Sequence, residues 1–143
     1  MIRKARPEDK IGVCNLIQMF FEEELKVRGY AFDYEKAVKD YDIYIQNDAI
    51  VAFVLDNDSI DGFIGGFVSE KVFLKGKTLS ELMWYVKPEK RKYGLKLLKA
   101  FEAEAEKFGC DDIMMIGLEA SKANDIYERL GYIKQESMYL KKV

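Results

Sequence analysis

The amino-acid sequence predicts a single mixed α/β domain that spans residues 1–143. Three apolar segments have the length and composition of buried strands, at residues 49–56, 78–86 and 113–118. Two other segments repeat their apolar residues at helical spacing, at residues 11–25 and 97–108. The chain contains no internal repeat, linker or low-complexity segment, and it is long enough to bury one core.

The N-terminal third of the chain predicts a strand followed by two helices. A short strand at residues 1–5 precedes a helix that begins at Pro7, a residue tolerated in a first helical turn. This helix is expected to run to about Arg28, because Gly29 is a typical stop signal. After an aromatic connection, the apolar spacing that starts at Tyr34 predicts the second helix.

The middle of the chain predicts a β-hairpin. Residues 57–59, Asn-Asp-Ser, are typical of a turn, so the strands at 49–56 and 60–68 are expected to pair with each other. The Gly65-Gly66 pair inside the second of these strands predicts a bulge or a close approach of another group to the backbone.

The second half of the chain predicts alternating strands and helices. The strand at 78–86 leads into a helix at 93–108, and a nearly all-apolar strand follows at 113–118. The remaining predicted elements are a helix at 121–130 that Gly131 ends, and one or two strands at 132–135 and 137–141. The predicted order is therefore β-α-α-β-β-β-α-β-α-β.

Charge and hydropathy exclude several classes of protein. The net charge of −2 argues against a general nucleic-acid binder, which relies on positive charge. The longest uncharged apolar run covers residues 49–55 and is far too short to span a bilayer. Residues 2–10 are charged where a signal peptide would be apolar, so we expect a cytoplasmic protein with no membrane partner.

The residue inventory also restricts the chemistry. The chain has no histidine, which excludes Ser-His-Asp and Cys-His catalysis and leaves only carboxylates for a zinc site, so no metal is expected. Cys14 and Cys110 are far apart in sequence and are expected to be small apolar residues. The tripeptide at 76–78, Gly-Lys-Thr, is not a P-loop, because Lys71 stands where the required glycine would be.

A basic loop with one glycine joins the strand at 78–86 to the helix that follows. It places the N–H groups and the positive dipole of a helix N-terminus beside Arg91, Lys92 and Lys96. Gly94 has no Cβ, so a ligand can approach the backbone there. These features favour binding of a phosphate or pyrophosphate, and the alternative is a solvated connection with no ligand.

Two segments resemble the GNAT superfamily of acyl-CoA-dependent N-acetyltransferases. Residues 85–91, Tyr-Val-Lys-Pro-Glu-Lys-Arg, are similar to the family's V-x-P-x-x-R strand exit. Residues 123–132, Ala-Asn-Asp-Ile-Tyr-Glu-Arg-Leu-Gly-Tyr, are similar to its A-x-x-L-Y-x-x-x-G-F/Y segment. With the element order, this resemblance covers essentially the whole chain. It implies a central mixed, mainly antiparallel sheet flanked by helices, acetyl-CoA as co-substrate and an amine acceptor.

The cofactor loop departs from the family's Q/R-x-x-G-x-G/A pattern. Anchored at Arg91, the loop has Lys96 where a small residue is expected; anchored on the helix, Gly94 is the last small residue and the loop is about two residues short. We favour the second register, because the apolar phase of a packed helix is harder to shift than a loop length. The cofactor-binding residues that the resemblance implies are Tyr85, Val86, Arg91, Lys92, Tyr93, Gly94, Leu95, Lys96 and Ser121, the last in partial replacement of a family asparagine that is Ala120 here.

Two residues are the candidates for acid–base chemistry. Glu81 is the carboxylate of a mostly apolar strand, which favours a raised pKa, and the resemblance makes it the general base. Tyr127 matches the family tyrosine that protonates the CoA thiolate. The alternatives are a salt-bridged or edge-facing glutamate and a tyrosine packed in the core.

The acceptor site is expected near the connection of the first two helices. The carboxylates there are those of residues 22–24, Asp33 and Asp40, and with Tyr30, Phe32 and Tyr34 they could receive a cationic amine, although residues 22–24 are also typical of a solvated helix face. The leading hypothesis is transfer of an acetyl group to a primary amine. The alternatives are a degenerate family member that acts as an interaction module and a nucleotide-binding protein. The resemblance also implies that a homodimer is plausible.

Overall fold

Within the residues that the structure, a computed structural model, describes (1–26, 29–118 and 121–143), five strands form one sheet in the order β1-β2-β3-β4-β5. The first four strands are antiparallel neighbours, and β5 is parallel to β4. In this part of the chain no helix is both long and apolar enough to cross a membrane. The predicted α/β class with a mixed, mainly antiparallel sheet is confirmed.

The elements follow the predicted order as far as the last helix. Their bounds are β1 Ile2–Lys4, α1 Lys10–Phe20, α2 Tyr34–Ile45, β2 Ile50–Asp56, β3 Ile60–Glu70, β4 Lys77–Val86, α3 Gly94–Lys107, β5 Asp112–Met114 and α4 Ala123–Arg129. The short 3-10 helix Pro88–Tyr93 connects β4 to α3. Asp33 caps the N-terminus of α2, since its carboxylate accepts a hydrogen bond from the backbone N–H of Lys36 at 3.0 Å.

Helices cover both faces of the sheet and form two apolar clusters. On one face α3 packs its stripe, including Leu97, Leu98 and Phe101, against the strands. On the other face α1 and α2 pack against Phe63 and Met83. The candidate site therefore has a wall of strands with a separate helical layer on each side.

A β-bulge in β4 changes which side chains face each layer. Gly65 of β3 is opposite Met83 and Gly66 is opposite Glu81, so Leu82 is an extra residue in β4. Before the bulge Leu79 faces α3, and after it Val86 does, although the two are an odd number of residues apart. The predicted irregularity at Gly65-Gly66 is confirmed, and the extra residue belongs to the partner strand.

The glycine pair also lets large side chains approach the sheet from both sides. A Cβ on Gly65 would lie 2.8 Å from the hydroxyl of Tyr44 in α2. A Cβ on Gly66 would lie 2.7 Å from the ring of Phe101 in α3 and would overlap the carbonyl oxygen of Ser80. The close approach predicted from the sequence is thus present at both residues.

Three segments differ from the prediction. The first helix leaves α geometry at a π-helical turn, Phe21–Leu25, and its predicted end at Arg28 lies outside the described residues. The strand predicted at 113–118 is paired only through Met114. The predicted last strands are wrong: residues 132–143, all of which the structure describes, form no strand, and side chains such as Met138 are fully exposed, because no strand edge pairs with them.

The substitution Gly66→Ala tests the packing of the glycine pair. Its methyl group would force apart Phe101 and the backbone of Ser80, so we expect a loss of about 2 kcal/mol in the free energy of unfolding. Urea unfolding measures this loss. Gly94→Ala is the matched control, because its Cβ would lie 3.5 Å from Trp84 in ordinary contact within a helix, and its stability should be unchanged or slightly higher. Equal stability of the two variants would contradict the packing described here.

Candidate functional site

The candidate site begins where β4 and β5 part. The two strands pair only from Thr78 to Ser80, so in the described chain the next residues of β4 have no strand partner on that edge. Glu81 fills the opening: its carboxylate accepts a hydrogen bond from the backbone N–H of Ile116 at 2.7 Å. The side chain therefore replaces the ladder at the point of separation.

Glu81 differs from the other buried carboxylates. Among the described residues four acidic side chains are buried, and three of them have a cationic partner: Asp9 with Arg3, Asp61 with Lys87 and Glu104 with Lys107. In the same part of the chain, the carboxylate of Glu81 has only the neutral N–H of Ile116 as a partner. Burial raises the pKa of Glu81 to about 7, and the hydrogen bond from Ile116 opposes this rise only in part. The carboxyl group thus exchanges its proton near neutral pH.

Tyr127 of α4 lies on the same side of the sheet as Glu81. Its hydroxyl donates a long hydrogen bond of 3.3 Å to the carbonyl of Ile116, the residue whose N–H binds Glu81. Burial, and then the nearby charge of Glu81, raise the pKa of Tyr127, so its hydroxyl stays protonated. The two residues singled out for acid–base chemistry therefore bind opposite ends of one residue's backbone.

Trp84 was not singled out from the sequence. Its ring centre lies 6.0 Å from that of Tyr127, and its indole edge lies beside Gly94 at the start of α3. Its indole N–H is buried and has no hydrogen-bond partner in the described part of the chain. A buried donor without an acceptor is rare, and it indicates that a ligand atom can bind between β4, α3 and α4. The available signal was that Trp84 is the only tryptophan of the chain.

The basic segment predicted as a loop forms a short 3-10 helix. In the 3-10 helix before α3, the N–H of Lys90 donates to the carbonyl of Lys87 and that of Gly94 donates to Arg91. These N–H groups are therefore bonded within the chain in this structure. Gly94 itself is the first residue of α3, and no tight contact in the fold demands a glycine there.

The cationic side chains of this loop lie in two separate places. The ammonium groups of Lys92 and Lys96 lie 5.1 and 5.9 Å from the centre of the Tyr93 ring, where they form a basic patch at the start of α3 with exposed Leu95 next to it. Arg91 instead turns toward the opposite layer. The predicted cofactor residues are thus brought together in part.

Arg91 forms an ion pair with Glu23, whose carboxylate also accepts a hydrogen bond from the hydroxyl of Tyr85 at 2.8 Å. The Arg91 side chain also donates to the carbonyl of Val86 at 3.3 Å. Burial alone would raise the pKa of Glu23, but the hydrogen bonds from Arg91 and Tyr85 lower it. The sequence did not single out Glu23 from its acidic neighbours, and the contact spans 68 residues of chain.

The other predicted residues near the site have structural contacts. Ser121 accepts a hydrogen bond from the N–H of Ala123 at 3.3 Å, at the start of α4. Ala120 lies outside the described residues. Val86 is buried in the cluster under α3.

Three of the carboxylates expected to receive a cationic amine have partners within the chain. Asp33 caps α2, Asp40 is paired with Lys36, and Glu22 is paired with Lys26. The aromatic residues of the same connection remain, and they line a cavity between α1, α2 and the sheet. The role of this connection in binding a cationic amine stays a prediction.

This arrangement is suited to proton transfer beside an opened sheet edge. It contains a carboxyl group with a pKa of about 7, a protonated phenol, a buried donor without a partner and a basic patch at a helix start. Such groups match the needs of acyl transfer to an amine, which requires a base, an acid and a site for an anionic carrier.

Comparisons with solved structures agree with this fold. Over its whole length the chain superimposes on 99% of a tetramutant of the BH1408 protein from Bacillus halodurans, with a TM-score of 0.87 and 17% sequence identity. A GNAT family acetyltransferase from Staphylococcus aureus gives a TM-score of 0.73 at 18% identity, with 100% of this chain and 98% of that chain covered. The protein AAC(6')-Iy, solved with the bisubstrate analogue CoA-S-monomethyl-acetylneamine, gives 0.79 at 14% identity, with 100% and 97% covered.

A search of curated protein sequences found no match. A family model, in contrast, identifies the family. The sequence model described as the Acetyltransferase (GNAT) family matches residues 12–132, which include β4, the basic loop, β5 and α4. The chain therefore belongs to the GNAT family of acetyltransferases.

Proposed function

We propose that this protein transfers an acetyl group from acetyl-CoA directly to a primary amine. The observation that carries the proposal is the pair formed by Glu81 and Tyr127, which bind the N–H and the carbonyl of Ile116 at the parting of β4 and β5. Family membership supports the reaction type, and this pair supports the acid–base chemistry that the reaction needs.

In the proposed reaction Glu81 acts as the general base. It takes a proton from the amine, directly or through water, while the amine nitrogen forms a bond to the acetyl carbon. Tyr127 donates a proton to the sulfur as the carbon–sulfur bond breaks, which yields the amide and a free thiol. A pKa of about 7 for Glu81 leaves about half of the base ionised at neutral pH.

Residues of this chain also fit the co-substrate. The indole N–H of Trp84, a buried donor with no partner among the described residues, would bind a carbonyl of the pantetheine arm. Lys92 and Lys96 supply positive charge for the pyrophosphate, and the backbone of Tyr85 and Val86 would border the arm. The packing of the fold does not require a glycine at position 94, because a Cβ there would make only ordinary contacts. A ligand that approaches the backbone would account for the glycine.

Arg91 would bind the pyrophosphate only after it leaves Glu23. The ion pair is partly exposed, with Arg91 at 50% and Glu23 at 34% accessibility, so its exchange for a phosphate partner has a modest energetic cost. The competing hypothesis, a family member without catalysis, is favoured by the same contact and by the bonded N–H groups of Lys90 and Gly94.

Calorimetric titration with acetyl-CoA separates the two hypotheses. We expect saturable binding, and we expect Arg91→Ala and Gly94→Ala each to weaken it by about tenfold, because one removes a charged phosphate ligand and the other fills the space of backbone approach. Lys39→Ala is the control, since it removes one exposed positive charge from α2 on the other face of the sheet. Absence of heat up to millimolar acetyl-CoA, with a folded protein, would refute the enzyme hypothesis.

The substitution Tyr127→Phe tests the proton donor. With any accepted amine, we expect the rate of thiol release to fall by at least about tenfold, because the leaving sulfur loses its acid. The matched control is Tyr139→Phe, which removes the hydroxyl of a tyrosine that is 93% exposed. A rate equal to that of the unmodified protein would show that Tyr127 is not the proton donor. The role of Glu81 as base would then need its own test.

A further inference from the structure

An apolar cavity near the bulge lies on the face of the sheet opposite to Tyr127. It has a volume of about 560 Å³ and lies between α1, the π-helical turn, α2 and the strands. Its walls are mainly aromatic and aliphatic, and they include Phe21, Tyr30, Phe32, Phe63, Leu82 and Met83. We call this cavity the aromatic pocket.

One wall of the aromatic pocket is formed by β4, the strand that carries the proposed base. Leu82, the extra residue of the bulge, is half exposed and forms part of the wall next to buried Met83. Glu81 directly precedes Leu82 and faces the other layer. A molecule in the pocket therefore lies against the segment of β4 that carries the proposed base, where the strand edge is open.

Four polar side chains around the pocket, those of Asp33, Asp40, Tyr41 and Tyr44, already have partners within the chain. The hydroxyls of Tyr41 and Tyr44 donate to the carbonyls of Arg6 and Gly66, at 2.7 and 2.8 Å. Asp33 and Asp40 are bound to the backbone and the ammonium of Lys36. Each tyrosine hydroxyl thus already donates its hydrogen bond, and burial of a ligand's polar group without a partner inside the pocket is unfavourable.

The aromatic walls are arranged to contact a flat apolar group. Phe32 packs on Phe21 with ring centres 5.6 Å apart and on Tyr34 at 6.3 Å. Tyr30 is 47% exposed at the rim. A phenyl-sized group buried here would gain both transfer from water and offset contacts with these rings.

We propose that the acceptor is a primary amine with an aromatic or other apolar side chain, which the aromatic pocket binds, rather than a polycationic or polyhydroxylated amine. The substrate class rests on the proposed acetyl transfer, whereas the preference of the pocket for an apolar amine is independent of it.

Two measurements on the full chain test this inference. The first compares kcat/KM for 2-phenylethylamine, ethanolamine and the polycation spermidine at saturating acetyl-CoA. Burial of the ring should make 2-phenylethylamine better than either hydrophilic amine by at least about tenfold. The second follows the methyl NMR signals of Met83 and Leu82 during titration with 2-phenylethylamine and ethanolamine without co-substrate, and only the aromatic amine should shift them.

Pocket variants locate the preference. Tyr30→Ser at the rim and Phe32→Ser in the wall should each reduce the advantage of 2-phenylethylamine several-fold, because part of the apolar contact is lost. Phe73→Ser is the matched control, because that ring is fully exposed and does not line the pocket. Tyr30 is half exposed, so its variant stays informative if Phe32→Ser is unstable.

The outcomes distinguish this inference from the proposed function. Transfer to ethanolamine or spermidine as fast as to 2-phenylethylamine would overturn the inference and leave acetyl transfer intact. Methyl shifts with 2-phenylethylamine, but transfer to no amine, would support the pocket's preference and refute the proposed function. Equal shifts with both amines, or an advantage that Tyr30→Ser and Phe32→Ser do not change, would overturn the inference.

Discussion

The separation of β4 from β5 is the constraint on which the candidate site depends. Backbone N–H and carbonyl groups inside a protein need hydrogen-bond partners, and after Ser80 the strand ladder no longer supplies them. The N–H of Ile116 is satisfied by Glu81 and its carbonyl by Tyr127. The same requirement that stabilises an opened sheet therefore brings a carboxyl group and a phenol to one place.

The separation also determines the protonation of Glu81. Asp9, Asp61 and Glu104 are buried next to cations, whereas Glu81 replaces a backbone group and has only a neutral donor. Its pKa in the fold lies above the ordinary value of 4.5, so the folded state favours the protonated form. The contribution of Glu81 to stability is thus greatest below pH 4.5 and is lost as the pH rises through about 7. Perturbed pKa values of this kind are common at functional sites.

Local patterns predicted most of the fold. The turn at 57–59 and the β-branched run before it were sufficient for the β2–β3 hairpin, and the apolar spacing of α3 was sufficient for its bounds to within one residue. The end strands were wrong because apolar and aromatic residues show that a segment can form a strand but not that a partner edge exists. Residues 132–143 contain such residues, among them Met138 and Tyr139, and form no strand.

The site was predictable only where the chemistry of one residue was sufficient. An acidic residue in an apolar strand indicated a raised pKa for Glu81, and the resemblance of residues 123–132 indicated Tyr127. The pairing of Arg91 with Glu23 and the engagement of Asp33 and Asp40 depend on tertiary contacts and on competing partners, which no local pattern encodes. Trp84 became visible only once its neighbours were known.

The central claim is that the opened sheet edge leaves Glu81 buried, with no cationic partner among the residues that the structure describes. Its most direct test is the carboxyl carbon signal of Glu81, followed by NMR from pH 4 to pH 9 in protein labelled at glutamate and assigned with Glu81→Gln. The account predicts a midpoint near pH 7, far from those of the exposed glutamates. A midpoint near the ordinary value of 4.5 would contradict it, because the carboxylate would then be solvated or paired with a cation.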